Sequence, residues 1–397
     1  MGRALAVAGL LAGAAGGLAL YRWASHAIHG GETGLLVLAL AAYLILLSGP
    51  LAHLLGLPVA LVEILLGLAA SWAGAGESEG LRLLSEIGAN MVLFMAGAEI
   101  DVALLRRRAR DALTLAMLVL AGPLLLSLLP LLRGDRVLIM AALLPTSVAI
   151  TYAVLYPSGL ARTRTGQTVL AAAMISDVLG MILLNMAGGG WSPLSSLYTI
   201  VILAALALYP VFPRLSEIGF EAEIRAIMMM VLVLGIASEL IGIHSVLTSF
   251  ILGLITGETV RSRRVLREKL EGMILGFFAP FFFLASGMAI EPSSLARALP
   301  AILLLGLLAY AAKALPALAY LRLSRRTPRR PALLYSASLA PLLTVTVIAA
   351  ETGLRQGLIS GETHTLLIGV VIVTTTLTGL VSKLSGRGIE MPEKHYH

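Results

Sequence analysis

The sequence predicts an all-α membrane protein of about thirteen to fourteen transmembrane helices, and three observations predict it. Of the 397 residues, 58% are hydrophobic and 13% charged, about half the charged fraction of an ordinary soluble domain. The mean hydropathy is +0.93. Apolar runs of about 20 residues, the length that crosses a bilayer as a helix, recur with only short polar gaps between them. The unit to count is therefore the span rather than the globular domain. The chain has no cysteine, which excludes disulfides, thiolate metal sites and a catalytic thiol.

The first run, residues 4–20, follows Arg3. It reads as an uncleaved helix rather than a signal peptide, because no clear cleavage site precedes the polar stretch YRWASHAIHGGE. Spans then follow at 35–55, 57–74, 82–100, 112–132, 136–156, 166–188, 193–211, 225–242, 244–257, 271–290, 299–321, 331–351 and 363–382. Alternating the sides of these fourteen runs puts 22 of the 29 Lys and Arg residues on the side that holds both termini, 6 on the other, and Lys313 within a span. Such a bias identifies the rich side as cytoplasmic, so both termini face the cytoplasm of a multi-pass protein of the cell membrane. The basic clusters behind the net charge of +7 are topology determinants first and contacts for lipid headgroups second. Nucleic acid is not the partner they imply.

Two segments are chemically alike: LLPTSVAITYAV at 143–154 and LAPLLTVTVIAA at 339–350. Each places a proline in mid-membrane, followed by hydroxyl side chains. Proline removes a helix hydrogen bond and clashes with the carbonyl four residues earlier, so Pro145 and Pro341 each free backbone groups that a lipid-facing helix could not leave bare. Each proline falls in the fifth span of a six-span block, one block starting near residue 35 and the other near 225, joined by the single span 193–211. An odd linker flips the second block, which predicts two inverted six-helix repeats whose paired broken helices mark a site near the midplane.

Few ionisable residues lie deep in the spans. Asp177 and Lys313 are near the centres of their helices, and Glu63 is somewhat off centre. A charge at the bilayer centre costs at least about 2.5 kcal/mol, so such groups face protein, water or each other. Asp177 suits a site for a cation and a proton. A carboxylate there holds a proton or a small hard cation such as Na⁺ but not both, and competition of that kind is exchange. Ser176, Thr146, Ser147 and the carbonyls freed around Pro145 are the candidate oxygens to complete the shell. The plainer readings are a structural ion pair of Asp177 with Lys313, hydroxyls satisfied by the carbonyl one turn back, and, for Glu63, a packing or cavity-edge carboxylate. Gly253 to Gly257 and Gly272 to Gly276 form two GxxxG patterns that permit close helix approach. No phosphate-binding glycine loop, HExxH or nucleophile elbow is present, so the chain is not read as an enzyme and no cofactor is implied.

From about residue 35 to 384 the chain resembles the monovalent cation:proton antiporter-2 family, the sodium/proton exchangers of bacteria and archaea. LPVALVEILLGL is similar to that family's LPxxxGEIxxG helix, with Glu63 in the glutamate position. EIGANMVLFMAGAEID is similar to its ELGxxxLLFxxGLE helix. PTSVAITYAVL followed by GQTVLAAAMISDVLGMIL matches the broken helix and the helix bearing the ion-binding aspartate, FFAPFFFLASGMAI looks like the PxFFxxxG segment, and AYAAKALPAL places Lys313 at the family's membrane-buried lysine. The departures are Ser176-Asp177, where electrogenic relatives carry Asp-Asp and electroneutral ones often Asn-Asp, and SASLAPLLT, which has no acidic residue.

The resemblance implies crossing broken helices and an elevator-like core moving against a dimerisation domain, hence a homodimer. The parts are an extra N-terminal helix at 1–30, dimerisation helices at 31–110, core helices at 111–190, a linker and further dimerisation helices at 191–296, core helices at 297–385 and a short cytoplasmic tail at 386–397. The expected function is exchange of Na⁺, Li⁺ or K⁺ for H⁺ by alternating access. It is electroneutral because one carboxylate releases one proton per bound Na⁺, unless Lys313 carries a second proton. The alternatives are a sodium-coupled organic solute symporter of similar fold and a non-exchanging channel or sensor.

Overall fold

In a computed structural model the structure describes residues 2–27, 32–156, 158–187, 220–240 and 245–386. The described residues are almost wholly helical and form no β-strand beyond one isolated bridge. Among the described residues, nine segments are long and apolar enough to cross a membrane. Further helices at Val59–Trp72, Phe220–Leu240 and Ser245–Ser262, and the pair Arg329–Ser338 and Thr344–Arg355, occupy the other expected spans. The expected linker at 193–211 and the tail after 386 lie outside the described residues.

Chain contacts divide the protein into two compact units, Met1–Ile100 with Gly188–Leu295, and Asp101–Ala187 with Ala296–His397. Unit 1 holds α1 (Gly2–Ala27), α2 (Glu32–Leu55), α3 (Val59–Trp72) and α4 (Glu79–Glu99). From its second segment come α9 (Phe220–Leu240), α10 (Ser245–Ser262), α11 (Arg264–Met273) and α12 (Ala279–Met288). A widened turn at Ile274–Phe278 joins α11 to α12, ending just before Pro280, whose missing N–H interrupts the ladder there. Gly253 and Gly257 of α10 lie against the Phe94 and Ala98 carbonyls of α4, whereas Gly272 and Gly276 have open space beside them. Only the first GxxxG pattern therefore seats one helix on another.

Unit 2 holds α5 (Val102–Leu126), α6 (Arg136–Leu143), α7 (Val148–Leu155) and α8 (Arg164–Met186). These are followed by α13 (Pro292–Leu323), α14 (Arg329–Ser338), α15 (Thr344–Arg355) and α16 (Gly361–Gly386). The starts of α5, α6, α7 and α8 are set by side-chain caps: Asp101, Asp135, Ser147 and Thr163 accept from Leu104 N, Leu138 N, Ile150 N and Gly166 N, satisfying donors that have no partner within the helix. Helix α5 begins earlier than the hydropathy of its span predicts, because the cap lies ahead of the RRRAR cluster and the helix carries its arginines at a polar end.

Helix α6 packs against α15, and α7 against α14, so the two interrupted helices of unit 2 cross, each half pairing with the opposite half of the other. The loops agree with this. At one end of the unit Gly134, at φ +136°, brings the chain beside Ile359. There Asp135 N donates to Leu358 O at 2.8 Å, and Thr363 Oγ1 donates to Arg133 O at 2.7 Å. At the other end Thr163 and Tyr335 share a 2.6 Å hydroxyl contact, and Asp111 pairs with Arg325.

Candidate functional site

The helix that carries Pro145 is interrupted at residues 144–147, and the one that carries Pro341 at 339–343. The two interruptions touch. Ser147 N donates to Pro341 O at 3.1 Å, Thr146 Oγ1 donates to Leu339 O at 3.1 Å, and Thr151 Oγ1 donates to Ser338 O at 2.7 Å. Thr346 Oγ1 donates to Ala142 O at 2.7 Å. The freed backbone groups are thus satisfied by protein rather than left to hydrocarbon.

The two breaks are satisfied by different chemistry. Around Pro341 the partners are neutral: Thr374 Oγ1 accepts from Leu342 N at 3.3 Å, Thr375 Oγ1 donates to Leu342 O at 3.3 Å, and Thr378 Oγ1 donates to Ala337 O at 3.2 Å. Around Pro145 the partner is a cation. The Lys313 ammonium, fully buried, donates to Leu144 O at 3.1 Å, to Pro145 O, and to Thr146 Oγ1 at 3.3 Å. It sits where the carbonyl end of α6 concentrates negative charge, the position a helix dipole offers a cation.

Asp177 is on α8 and 8% exposed. Three residues further along the same face is Gly180, where a Cβ would collide with the Pro145 ring; the missing side chain lets α8 reach the break and turns the Asp177 face toward it. Asp177, Lys313, Thr146, Ser147, Pro145 and Pro341 are therefore brought together in unit 2. Ser176 is wholly buried beside Asp177, and its hydroxyl donates to Ala172 O one turn back at 3.0 Å. Ser147 Oγ caps α7, accepting from Ile150 N at 3.4 Å. Both serine hydroxyls thus already serve their own helices. Glu63 belongs to unit 1, where it is 2% exposed and its Oε1 accepts from Ser48 Oγ at 3.1 Å.

Chemically, the crossing offers one carboxylate and a set of neutral oxygens. Among the described residues no group of three or more His, Asp or Glu side chains could hold a metal ion. One negative charge with carbonyl and hydroxyl oxygens matches a monovalent hard cation better than a divalent one.

Sequence reasoning passed over two features. The threonines of VTTTLTG, residues 373–379, fall at one-turn and adjacent positions and so face the second break together; a cluster of hydroxyls opposite a proline was the available signal. Glu351 and His364 form a buried pair, with Nε2 3.0 Å from Oε1. Both lie at expected span ends, where charge ordinarily signifies little, and the signal was their placement on either side of one short loop.

The sequence matches a family model described as sodium/hydrogen exchanger, transmembrane, over residues 39–384. It is 27% identical over 327 residues to a probable Na⁺/H⁺ antiporter 3 of Methanocaldococcus jannaschii, covering 77% of this chain and 84% of the relative. It is 25% identical over 374 residues to a Na⁺/H⁺ antiporter of Enterococcus hirae, with 88% and 97% covered. To the Na⁺/H⁺-K⁺ antiporter GerN of Bacillus cereus it is 28% identical over 353 residues, with 84% and 91% covered. In fold it is similar to the sodium proton antiporter MjNhaP1 of Methanocaldococcus jannaschii, at a TM-score of 0.60 and 19% identity, covering 88% of this chain and 95% of that one.

Proposed function

Because this chain belongs to the sodium/hydrogen exchanger family, we propose that it exchanges Na⁺, or Li⁺ or K⁺, for H⁺ across the cell membrane, with Asp177 as the group that ion and proton share. Potassium stays among the candidates because one relative is named as a Na⁺/H⁺-K⁺ antiporter. The observation that carries the reading is the occupant of the first break. A buried ammonium already holds Leu144 O, Pro145 O and Thr146 Oγ1, which are cation-seeking oxygens at the break that α8 approaches through Gly180, on the face that also carries Asp177.

A sodium ion bound by the Asp177 carboxylate draws on the same oxygens, so it takes over part of the coordination of Lys313. When Asp177 is protonated its charge is gone, the ion leaves, and Lys313 recovers the break. One carboxylate trades one proton for one monovalent ion, and with Lys313 charged throughout the cycle the exchange is electroneutral. Thr146 is the hydroxyl best placed to complete the shell, while Ser176 and Ser147 contribute by fixing α8 and α7.

Unit 2 is the transport core and unit 1, with Glu63, the dimerisation domain of a homodimer. Alternating access follows from movement of the core, and the two six-helix blocks are an inverted repeat. The basic loops, including Arg322, Arg325 and Arg326, face the cytoplasm together with both termini, so the end of unit 2 that joins Gly134 to Ile359 faces outward.

Purified protein in liposomes tests this. Addition of Na⁺, Li⁺ or K⁺ outside should move protons for at least one ion, and Asp177→Asn should abolish the movement. Full exchange in that variant removes Asp177 from the mechanism.

A further inference from the structure

Four half-helices leave the crossing in unit 2, and three of them are covered. Helices α6, α14 and α15 are exposed only at the arginines of their ends, Arg136, Arg329, Arg330 and Arg355. Helix α7 differs. Ala149, Tyr152 and Ala153 are exposed, as is Tyr156 just past its end, with Tyr152 at 46% and Tyr156 at 51%. Spacings of three, one and three residues put all four on one helix face, while Ile150, Thr151 and Leu155 are buried. The exposed face starts beside Ser147 at the first break and runs toward the end of unit 2 that carries the basic loops.

Two features separate this face from one covered by lipid. The first is composition: the exposed stretch of α13 presents Leu303, Leu304, Leu307 and Leu308, side chains as apolar as lipid tails, whereas α7 presents two alanines and two phenols. The second is depth. Tyr152 lies about 7.5 Å along the helix from Ser147 and Tyr156 about 13.5 Å. In a hydrocarbon core about 30 Å thick, only Tyr156 comes near the headgroup level where tyrosines gather. A helical side chain leans toward the N-terminus of its helix, which for α7 is the break, so Tyr152 leans deeper into the membrane. Its ring stands beside that of Tyr156, with centroids 5.2 Å apart, and among the described residues its hydroxyl has no hydrogen-bond partner. A hydroxyl at that depth is costly to leave in hydrocarbon. It calls for water.

We propose that the exposed face of α7 lines a water-filled approach to the crossing from the basic-loop end, and that the Tyr152 hydroxyl is an ion contact on it, where an incoming hydrated monovalent cation trades water for a protein oxygen. A phenol oxygen and an aromatic face are neutral and attract a cation weakly. The ion therefore passes Tyr152 without lodging there, and the carboxylate of Asp177 remains the group that holds it. The passage of a cation rests on the exchange reading above; the hydration of the face does not.

The chain has no cysteine, so single thiols can be introduced as probes. Ala149→Cys and Ala153→Cys, each small for small, are placed in liposomes and treated on both sides of the membrane with a charged, membrane-impermeant thiosulfonate. A thiol reacts as its thiolate, which forms in water rather than in hydrocarbon, so both should be modified at least about tenfold faster than Leu304→Cys on α13. Rates equal to that control overturn the water-filled approach. Tyr152→Phe removes the hydroxyl and keeps the ring. It should raise the Na⁺ concentration for half-maximal exchange about three- to tenfold, the loss of one neutral oxygen contact, with a smaller effect on the maximal rate. A native Na⁺ dependence in this variant overturns the ion contact. The labelling requires no transport and is repeated in Asp177→Asn. Reactive thiols in a protein whose native form moves no protons on Na⁺ addition overturn the exchange reading and leave the hydrated face standing.

Discussion

Replacing Lys313 by methionine and by glutamine separates its charge from its hydrogen bonds. Both variants remove the buried ammonium, so whatever is regained by no longer desolvating a charge is common to the two. They differ in donors: methionine has none, while the glutamine amide keeps two. In the native protein the ammonium serves Leu144 O and Pro145 O, carbonyls that the proline break has deprived of helix partners, and also Thr146 Oγ1. Thr146 keeps its bond to Leu339 O in either variant. Methionine therefore leaves two buried carbonyls unsatisfied, at about 1–3 kcal/mol each, and should be about 2–6 kcal/mol less stable than glutamine. Unit 2 spans 101–187 and 296–397, and for a unit of that size about 2–4 °C of melting temperature corresponds to 1 kcal/mol. Thermal unfolding in detergent should then place Lys313→Met at least about 4 °C below Lys313→Gln. Equal melting temperatures would refute the idea that the lysine caps the broken helix.

Two further outcomes follow. Gly180→Ala drives a methyl group into the Pro145 ring and should cost about 1–3 kcal/mol by overpacking while slowing exchange; Gly379→Ala on α16, with nothing near its Cβ position, should be neutral or gain up to about 1 kcal/mol of helix propensity. Equal unfolding temperatures for the two would remove the close approach of α8 to the break. Electroneutral exchange should run at the same rate with the membrane potential collapsed as with it imposed; a rate that follows the potential contradicts a single-carboxylate cycle.

The spans and the position of each break are local properties, and the sequence displays them: hydropathy marks a helix by length, and a proline marks its own interruption whatever surrounds it. The surroundings of Asp177 were partly legible, because Gly180 lies on its face and the hydroxyls near Pro145 adjoin it in sequence. The destination of Lys313 was not, since a side chain 168 residues from Pro145 finds those carbonyls only through helix packing. Ser176 shows the converse, a residue next to the ionisable group whose hydroxyl is committed to its own helix. The two GxxxG patterns read identically in sequence and part company in space, Gly253 and Gly257 against α4, and Gly272 just before and Gly276 within the widened turn, both with open space beside them. Thr374, Thr375 and Thr378 escaped notice because membrane hydroxyls usually bond one turn back; Thr374 and Thr378 do that as well, and sequence does not reveal a second partner.

The most direct measurement counts protons against ions on the purified protein, with radioactive sodium binding and proton release recorded together in weakly buffered detergent solution. If Asp177 is occupied by one or the other, each sodium bound should release one proton at a pH where the sodium-free site holds its proton, and Asp177→Asn should bind and release neither. Sodium that binds without displacing a proton, or a variant that still exchanges one for the other, would contradict the account.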